Sequence, residues 1–309
     1  MKQRRNTLYG ILVLVWAGCL QAFAEPFAKG PYLGQTPPGP IAQVFAPGLI
    51  CYSGPHQWEG HATFSADGNT FCFQRVRGVF ITENTEQGWT TPELIKSIPA
   101  DTWSPWSVCL SPDASSICFT RGLSKPGSKR DLYRCNRTAD GWSVPQGLGP
   151  PFDSLTGGFS MAVDQSIYFV AGRGNFRVAP FVGNTWLQAI NLPVDVEGSL
   201  KGCHPGIAPD GSFLVFYSIR PGAPGGTETD LYLTLRRPNG TWTKPQNMGP
   251  RINSRYYEYG PKISPDKKYL FFNRSGGWDP RIYTGDIYWV ELKEYLPDPH
   301  DPKVNQTAH

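Results

Sequence analysis

Charged residues are scarce in this chain of 309 residues. Asp, Glu, Lys and Arg together make up 17% of it, whereas globular domains usually have about 25%. The chain also contains 34 glycines and 30 prolines, both of which interrupt helices. These features argue against a coiled coil, a helical bundle and a charged disordered chain. The turn-forming residues and the 13% of aromatic residues favour many short strands joined by turns.

Several motifs that signal a particular chemistry are missing. No two cysteines have CxxC spacing, which argues against a zinc motif. The sequence has no GxxxxGK[ST] loop, the phosphate-binding signature of many ATP-dependent enzymes. It also lacks the G-x-S-x-G turn that holds the nucleophile of many serine hydrolases. No residue is therefore assigned a catalytic role from a motif alone.

The first 24 residues have the pattern of a secretory signal peptide. Lys2, Arg4 and Arg5 precede an apolar run from 8 to 20, and Ala22 and Ala24 are small where a signal peptidase reads. An uncleaved anchor and a lipoprotein cut before Cys19 are the alternatives. We expect cleavage after Ala24 and a periplasmic or secreted protein. Residues 25–296 should form a single domain and 297–309 a disordered tail.

Cleavage would change both the charge and the cysteine count. The net charge would fall from +4 to about +1, which leaves no basic face for nucleic acid or anionic membrane. We expect no membrane span and a monomer. Six cysteines would remain, an even number that permits disulfides in an exported chain. Cys118 could pair with either Cys109 or Cys135, and the others are Cys51, Cys72 and Cys203.

A turn centred on aspartate recurs five times, each time followed by an apolar alternating run. Pro-Asp-Gly between two such runs predicts a tight hairpin. Only two of the five turns have glycine after the aspartate, so the other three should be looser or adapted. The aspartates are Asp67, Asp113, Asp164, Asp210 and Asp266.

The repeat predicts a β-propeller with five four-stranded blades. A third strand follows in most units, and a Trp-x-x-Pro segment marks an outer fourth strand in most of them. The repeated tryptophans Trp89, Trp142, Trp186 and Trp242 should pack between blades. The fifth unit lacks an outer strand, so we expect the strand at 42–45 to complete it and close the ring. Six blades are the alternative.

These phrases resemble a known repeat family. SPDKKYLFF, SIRPGAPGGTETDLYL and DIYWVELKEYL look like the WD40-like PD40 repeats of TolB-type propellers over roughly residues 40–295. The YLGQ-x-PPG segment from Tyr32 to Gly39 is similar to that of an exported bacterial subgroup. The resemblance implies a propeller. It leaves function open, because such repeats occur in binding proteins and in some polysaccharide lyases.

Charged residues recur at one rim of the predicted propeller. Glu59 and Glu258 lie eight residues before their turn aspartates, and Arg75, Arg121 and Arg274 lie eight residues after theirs. Glu59 should therefore face Arg75, and Glu258 should face Arg274, in neighbouring blades. The pairs could be structural salt bridges, a ligand site with arginine forks, or an acid–base site.

Aromatic and histidine side chains share the same loops and strands. Trp58, Trp106 and Tyr257, with Trp103 and Tyr256, could stack on a sugar or a peptide, or pack between blades. His61 and His204 lie six residues before their turn aspartates, near His56. They are candidate ligands of a divalent metal, a role that the resemblance to certain lyases also implies. Backbone-bonded histidines are the alternative, and no other cofactor is expected.

The sequence favours recognition over catalysis. We expect an exported propeller that binds an envelope protein or a carbohydrate through the rim around Glu59, Arg75, Glu258 and Arg274. The alternative is a polysaccharide-active enzyme, a lyase or a glycoside hydrolase, with a site on the propeller axis. A structural scaffold is a third possibility.

Overall fold

The structure is a computed structural model of the whole chain. It describes residues 27–52, 57–76, 78–99, 105–121, 131–153, 155–172, 174–194, 203–219, 221, 228–276 and 284–297. The predicted signal peptide, and the predicted tail except residue 297, lie outside the described residues. No helix in the described part of the chain is long and apolar enough to cross a membrane.

The described residues form five antiparallel units of strands, preceded by a short 3-10 turn at Pro31–Gly34 and a first strand β1 (Gln43–Val44). Unit one contains β2 (Glu59–Phe64), β3 (Thr70–Arg75), β4 (Gly78–Thr85), β5 (Gly88–Trp89) and β6 (Glu93–Leu94). Unit two contains β7 (Pro105–Leu110), β8 (Ser116–Arg121), β9 (Leu132–Thr138), β10 (Gly141–Trp142) and β11 (Gln146–Gly147).

Unit three contains β12 (Leu155–Met161), β13 (Ile167–Ala171), β14 (Asn175–Ala179), β15 (Phe181–Val182), β16 (Thr185–Trp186) and β17 (Ile190–Asn191). Unit four contains β18 (Cys203–Ile207), β19 (Phe213–Ile219), β20 (Thr229–Leu235) and β21 (Gln246–Asn247). Unit five contains β22 (Tyr257–Ile263), β23 (Tyr269–Ser275) and β24 (Gly285–Glu291).

The five units are the blades of a β-propeller. The first strand of each blade contacts the first strands of the two neighbouring blades, so β2, β7, β12, β18 and β22 form a closed ring. Apolar side chains from adjacent blades pack together; in one such cluster Phe176 of blade three meets Phe216 of blade four. The all-β propeller predicted from the repeat is confirmed.

The N-terminal strand completes the fifth blade. Gln43 pairs with Trp289 and Val44 pairs with Tyr288, antiparallel to β24. The next residue, Phe45, donates its backbone N–H to the Ile287 carbonyl at 2.8 Å and is fully buried. The pairing expected for the strand at 42–45 is present, and it joins the two ends of the described chain.

All five aspartate turns share one backbone conformation. The residue after each aspartate has φ between 55° and 74°, whether or not it is glycine. Ala114, Gln165 and Lys267 adopt the same left-handed conformation as the two glycines. The looser turns that the sequence predicted at these three positions are therefore not present. Each aspartate accepts a hydrogen bond from the backbone N–H two residues on, as Asp113 does from Ser115 at 3.0 Å. These side-chain bonds hold the turn without glycine.

The repeated tryptophans and the cysteines lie mainly inside the fold. Trp89 and Trp242 are buried, and Trp142 and Trp186 are half-buried. Cys109 lies opposite Cys118 on the neighbouring strand, as one of the two expected pairings requires. All six cysteines of the described residues are nevertheless free thiols, so neither expected disulfide is formed.

Candidate functional site

The two predicted Glu–Arg pairs are present at one rim of the propeller. Glu59 and Arg75 are register partners on β2 and β3, and Glu258 and Arg274 are register partners on β22 and β23. Arg75 Nε lies 3.5 Å from Glu59 Oε1, and Arg274 Nε lies 2.8 Å from Glu258 Oε1. The facing positions inferred from the repeat are therefore correct.

Both pairs are largely enclosed by the protein. The two glutamates are fully buried, whereas the Arg75 and Arg274 side chains are 21% and 17% exposed. Each arginine also donates to a carbonyl of the loop before its inner strand, Arg75 to Ile50 at 2.9 Å and Arg274 to Ile252 at 2.6 Å. Arg75 stacks on Tyr52 and Arg274 on Tyr288. Each arginine thus ties a loop to the second strand of its blade.

Burial changes the acidity of both glutamates. Loss of solvent raises the pKa of Glu59 from 4.5 to about 7, against the opposing effect of the Arg75 charge. Loss of solvent also raises the pKa of Glu258, against hydrogen bonds from Ser254 and Arg274. Glu59 can therefore gain or lose a proton near neutral pH.

The other residues predicted at the rim differ from one another in their exposure to solvent. Arg121 is exposed at the end of β8, opposite Pro105. Tyr257 is half-buried opposite Ser275, and Tyr256 beside it is exposed. Trp103 and His56 lie outside the described residues. Arg121 belongs to blade two and Tyr257 to blade five, the blades on either side of blade one.

An aromatic cluster surrounds the axis next to the rim. The Trp58 and Trp106 rings are nearly parallel, 9° apart, with centroids separated by 6.3 Å. His61 packs edge-on against both rings and against His204, whose centroid is 5.7 Å away. We call the aromatic cluster the set Trp58, His61, Trp106, His204, Tyr217 and Tyr259. Trp106 and Tyr217 are half-buried and the other four members are buried, so the more accessible side of the cluster belongs to blades two and four.

A bulge in each inner strand orients these side chains. The register of all five inner strands shifts near the residue six before the turn aspartate. That residue has φ of 52° at His61 and 42° at His204, an uncommon conformation away from glycine. Gly158 makes room for one ring, because a Cβ there would lie 1.5 Å from His204 Cδ2. The sequence pattern identified both histidines but not the bulge that aims them.

Two members of the aromatic cluster were not predicted. Tyr259 Oη accepts a hydrogen bond from Trp58 Nε1 at 2.7 Å, and Tyr217 packs edge-on against His204 at 5.4 Å. Tyr259 lies seven residues before its turn aspartate, the repeat position that Trp106 also occupies. Aligning that position across the blades is the signal that could have found Tyr259.

Among the described residues, one group of three metal-ligating side chains lies within reach of a single ion, and it differs from the predicted one. It consists of Cys51, Glu59 and Asp286. His61 and His204 are adjacent in the channel but do not belong to it. Metal binding by the two histidines stays a prediction.

The opposite end of the channel has a cavity of about 130 Å³. Lys262 lines it, is buried, and donates to the Phe159 carbonyl at 2.7 Å. Burial lowers the pKa of Lys262. The turn segments of several blades form the remaining walls, which separates this cavity from the aromatic cluster.

Comparison with known proteins returns distant structural similarity. No protein-family model matches the chain, and no curated protein matches it. A putative TolB from Agrobacterium tumefaciens is similar at 15% identity and a TM-score of 0.46, over 71% of this chain and 70% of that one. TolB from Acinetobacter baumannii is similar at 12% identity and a TM-score of 0.45, over 75% of this chain and 54% of that one.

A third similarity is to the β-propeller domain of Cps50 (Swd1) from Myceliophteria thermophila. It has 10% identity and a TM-score of 0.40, over 72% of this chain and 66% of that one. The fold of the present chain follows from its own strand pairing and its closed ring of inner strands.

Proposed function

We propose that the protein recognises a carbohydrate at the aromatic cluster, with a sugar ring stacked on Trp106. The observation that carries this proposal is the half-buried Trp106, whose indole is held parallel to that of Trp58 beside His61 and His204. Apolar faces of pyranose rings pack well on such a flat, rigid surface, and neighbouring polar edges can meet their hydroxyls.

The Glu–Arg pairs support the site indirectly in this proposal. Arg75 and Arg274 fix the loops at 49–52 and 252–254 beside the channel mouth. Their guanidinium groups already bond backbone carbonyls and face buried glutamates. Replacing both with alanine should therefore weaken retention of the ligand by loosening the loops, and unchanged retention would count against any role of the rim.

Fluorescence titration with a panel of neutral and acidic oligosaccharides tests the proposal. Binding should change the tryptophan emission, and Trp106→Ala should weaken binding about tenfold or more, because it removes the stacking surface. Trp142→Ala is the matched control, since Trp142 is also half-buried but lies on an outer strand. Equal affinity of Trp106→Ala and the wild type, or no binding of any oligosaccharide, would overturn it.

Incubating the protein with the same oligosaccharides also distinguishes recognition of carbohydrate from the other candidate functions. Cleavage products would indicate a polysaccharide-active enzyme. An envelope protein captured equally well by the wild type and by Trp106→Ala, with no oligosaccharide bound, would indicate protein recognition elsewhere on the rim.

A further inference from the structure

The two Glu–Arg pairs lie at equivalent places in two blade interfaces, which can be compared directly. The pair of Glu258 and Arg274 lies where blade five meets blade four, and the pair of Glu59 and Arg75 lies where blade one meets blade five. In each, the arginine donates to the carbonyl of an isoleucine, Ile252 or Ile50. The two interfaces can therefore be aligned at these residues, although the loops between them differ in length.

The interface between blades four and five is closed by hydrogen-bonding side chains. Asn253 Oδ1 accepts a hydrogen bond from the Leu231 backbone N–H at 2.8 Å, and Asn253 Nδ2 donates one to the Leu231 carbonyl at 3.1 Å. Asn247 donates to Asp230 at 2.8 Å, and the Ser254 hydroxyl donates to Glu258 Oε1 at 2.6 Å. Asp230 and the Oε1 atom of Glu258 thus have side-chain donors, whereas Glu258 Oε2 has no partner among the described residues.

The interface between blades five and one has different residues at all three positions. Cys51 replaces Asn253, and its sulfur lies 3.3 Å from the Ile287 nitrogen. Val44 pairs with Tyr288 as Asn247 pairs with Tyr232, so valine stands where an amide holds the aspartate. Tyr52 replaces Ser254. The exchanges at Val44 and Tyr52 remove the two side-chain donors that Asp230 and Glu258 have in the equivalent interface, so that the Tyr52 backbone N–H and Arg75 are left beside Glu59.

Three ligating groups meet in the space that results. The Cys51 sulfur and carboxylate oxygens of Glu59 and Asp286 lie within 4.8 Å of one another. Glu59 is fully buried. The Tyr52 backbone N–H and the Arg75 side chain face it, but neither Glu59 oxygen has a donor at good hydrogen-bond geometry within the part of the chain that the structure describes. Arg75 Nε, at 3.5 Å, is the cation beside it. A buried carboxylate without donors is costly unless another group satisfies it.

We propose that Cys51, Glu59 and Asp286 bind a divalent zinc-class cation that clamps blade one to blade five. A thiolate with two carboxylates suits Zn²⁺, which accepts both sulfur and oxygen ligands and takes a water as a fourth ligand in open sites. With Arg75, the ion would balance the charges of the three ligands. Zinc–ligand bonds of about 2.0–2.3 Å require small side-chain adjustments to draw the groups together.

The three ligands come from separated parts of the sequence, which is why the absence of CxxC spacing does not exclude this site. Cys51 precedes the first blade, Glu59 begins β2 and Asp286 lies near the start of β24. Only closure of the ring brings them together. The proposal of this cation site does not rest on the proposed carbohydrate binding.

Metal content of the untagged full chain tests the proposal. The protein is loaded with Zn²⁺, desalted and analysed by mass spectrometry, with about one zinc per chain expected. Cys51→Ala should lose the zinc. Glu258→Gln, which alters the equivalent glutamate of the other interface, and Cys72→Ala, a buried cysteine elsewhere, should retain it. Cobalt in place of zinc should give a thiolate charge-transfer band that Cys51→Ala abolishes.

A second measurement covers the case in which Cys51→Ala does not fold. Zn²⁺ should raise the Tm of the chelator-treated wild type and leave the Tm of Asp286→Asn unchanged. Zinc retained by Cys51→Ala, cobalt without a thiolate band, or an equal Tm rise in Asp286→Asn would overturn the proposal. Zinc lost on replacing His61 and His204 but kept by Cys51→Ala would assign the ion to the histidines instead.

Discussion

At the scale of single residues, the sequence predicted which residues face each other across a hairpin, but it did not predict how deeply they are buried. Equal distances from the turn aspartates placed Glu59 opposite Arg75 and Glu258 opposite Arg274, because hairpin register follows from residue counting. Burial of the glutamates could not be predicted in this way. It depends on the loops at 49–52 and 252–254, whose backbone carbonyls the arginines bind.

The buried Glu59 carboxyl should make stability depend on pH. Its pKa is 4.5 in the unfolded chain and about 7 in the folded protein, so the folded protein binds more protons between these pH values. The free energy of unfolding should therefore decrease as pH rises from 4.5 to 7. Glu59→Gln should remove this pH dependence. The free energy of unfolding of the variant, relative to that of the wild type, should therefore increase by about 1–3 kcal/mol as pH rises from 4.5 to 7.

Chemical denaturation at several pH values, with chelator present, measures this difference. Glu258→Gln provides a comparison, because the pKa of Glu258 is raised in the same direction. Parallel pH profiles of Glu59→Gln and the wild type would contradict the raised pKa of Glu59.

At the scale of elements, strands and turns were predictable and the bulges were not. Alternating apolar runs on both sides of each aspartate are enough to predict a hairpin. The bulge in each inner strand leaves no such mark, since its residues include His61, Ser107 and Gly260, which share no side-chain chemistry. The positions of the histidine rings consequently required the structure.

The shared turn conformation predicts a stabilising substitution. Ala114 has φ of 55°, which costs a residue with a Cβ about 1 kcal/mol or more, whereas glycine adopts it freely. After the greater entropy loss of glycine on folding is subtracted, Ala114→Gly should stabilise the protein by about 0.5 kcal/mol. Thermal unfolding measures the effect.

Ala66→Gly is the matched control for that substitution. Ala66 belongs to the equivalent turn of blade one but does not have a positive φ, so glycine there should destabilise by about 0.5–1 kcal/mol. A loss of stability in both variants would argue against strain at Ala114.

At the scale of the whole molecule, the closed ring is held by its first and last strands. The need for an outer strand in the fifth blade predicted the pairing of β1 with β24. What the sequence did not reveal is the chemistry at this junction, where Cys51, Glu59 and Asp286 meet only because the ring closes. Contacts between residues so far apart in sequence leave no local pattern.

Replacing Phe45 tests how much the contact between blades one and five stabilises the protein. The Phe45 ring packs against Phe71 of blade one and against Phe271 and Trp289 of blade five. Phe45→Ala should reduce the free energy of unfolding by about 3–5 kcal/mol, since it leaves a cavity between the two blades. Ile41→Ala, at a 60% exposed position, should change it by less than about 0.5 kcal/mol. Denaturant titration measures both, and equal effects would show that Phe45 does not hold the ring.

The pairing of β1 with β24 also constrains the order in which the chain can fold. A ribosome synthesises β1 first and its partner last, so the ring cannot close until translation of the blades is finished. Until then β1 has no partner, and once β24 has formed its outer edge exposes unpaired backbone groups until β1 pairs with it. Contacts of such long range make folding slow and leave intermediates prone to aggregation. Strand exchange between two incomplete rings is the misfolding error to expect of this architecture.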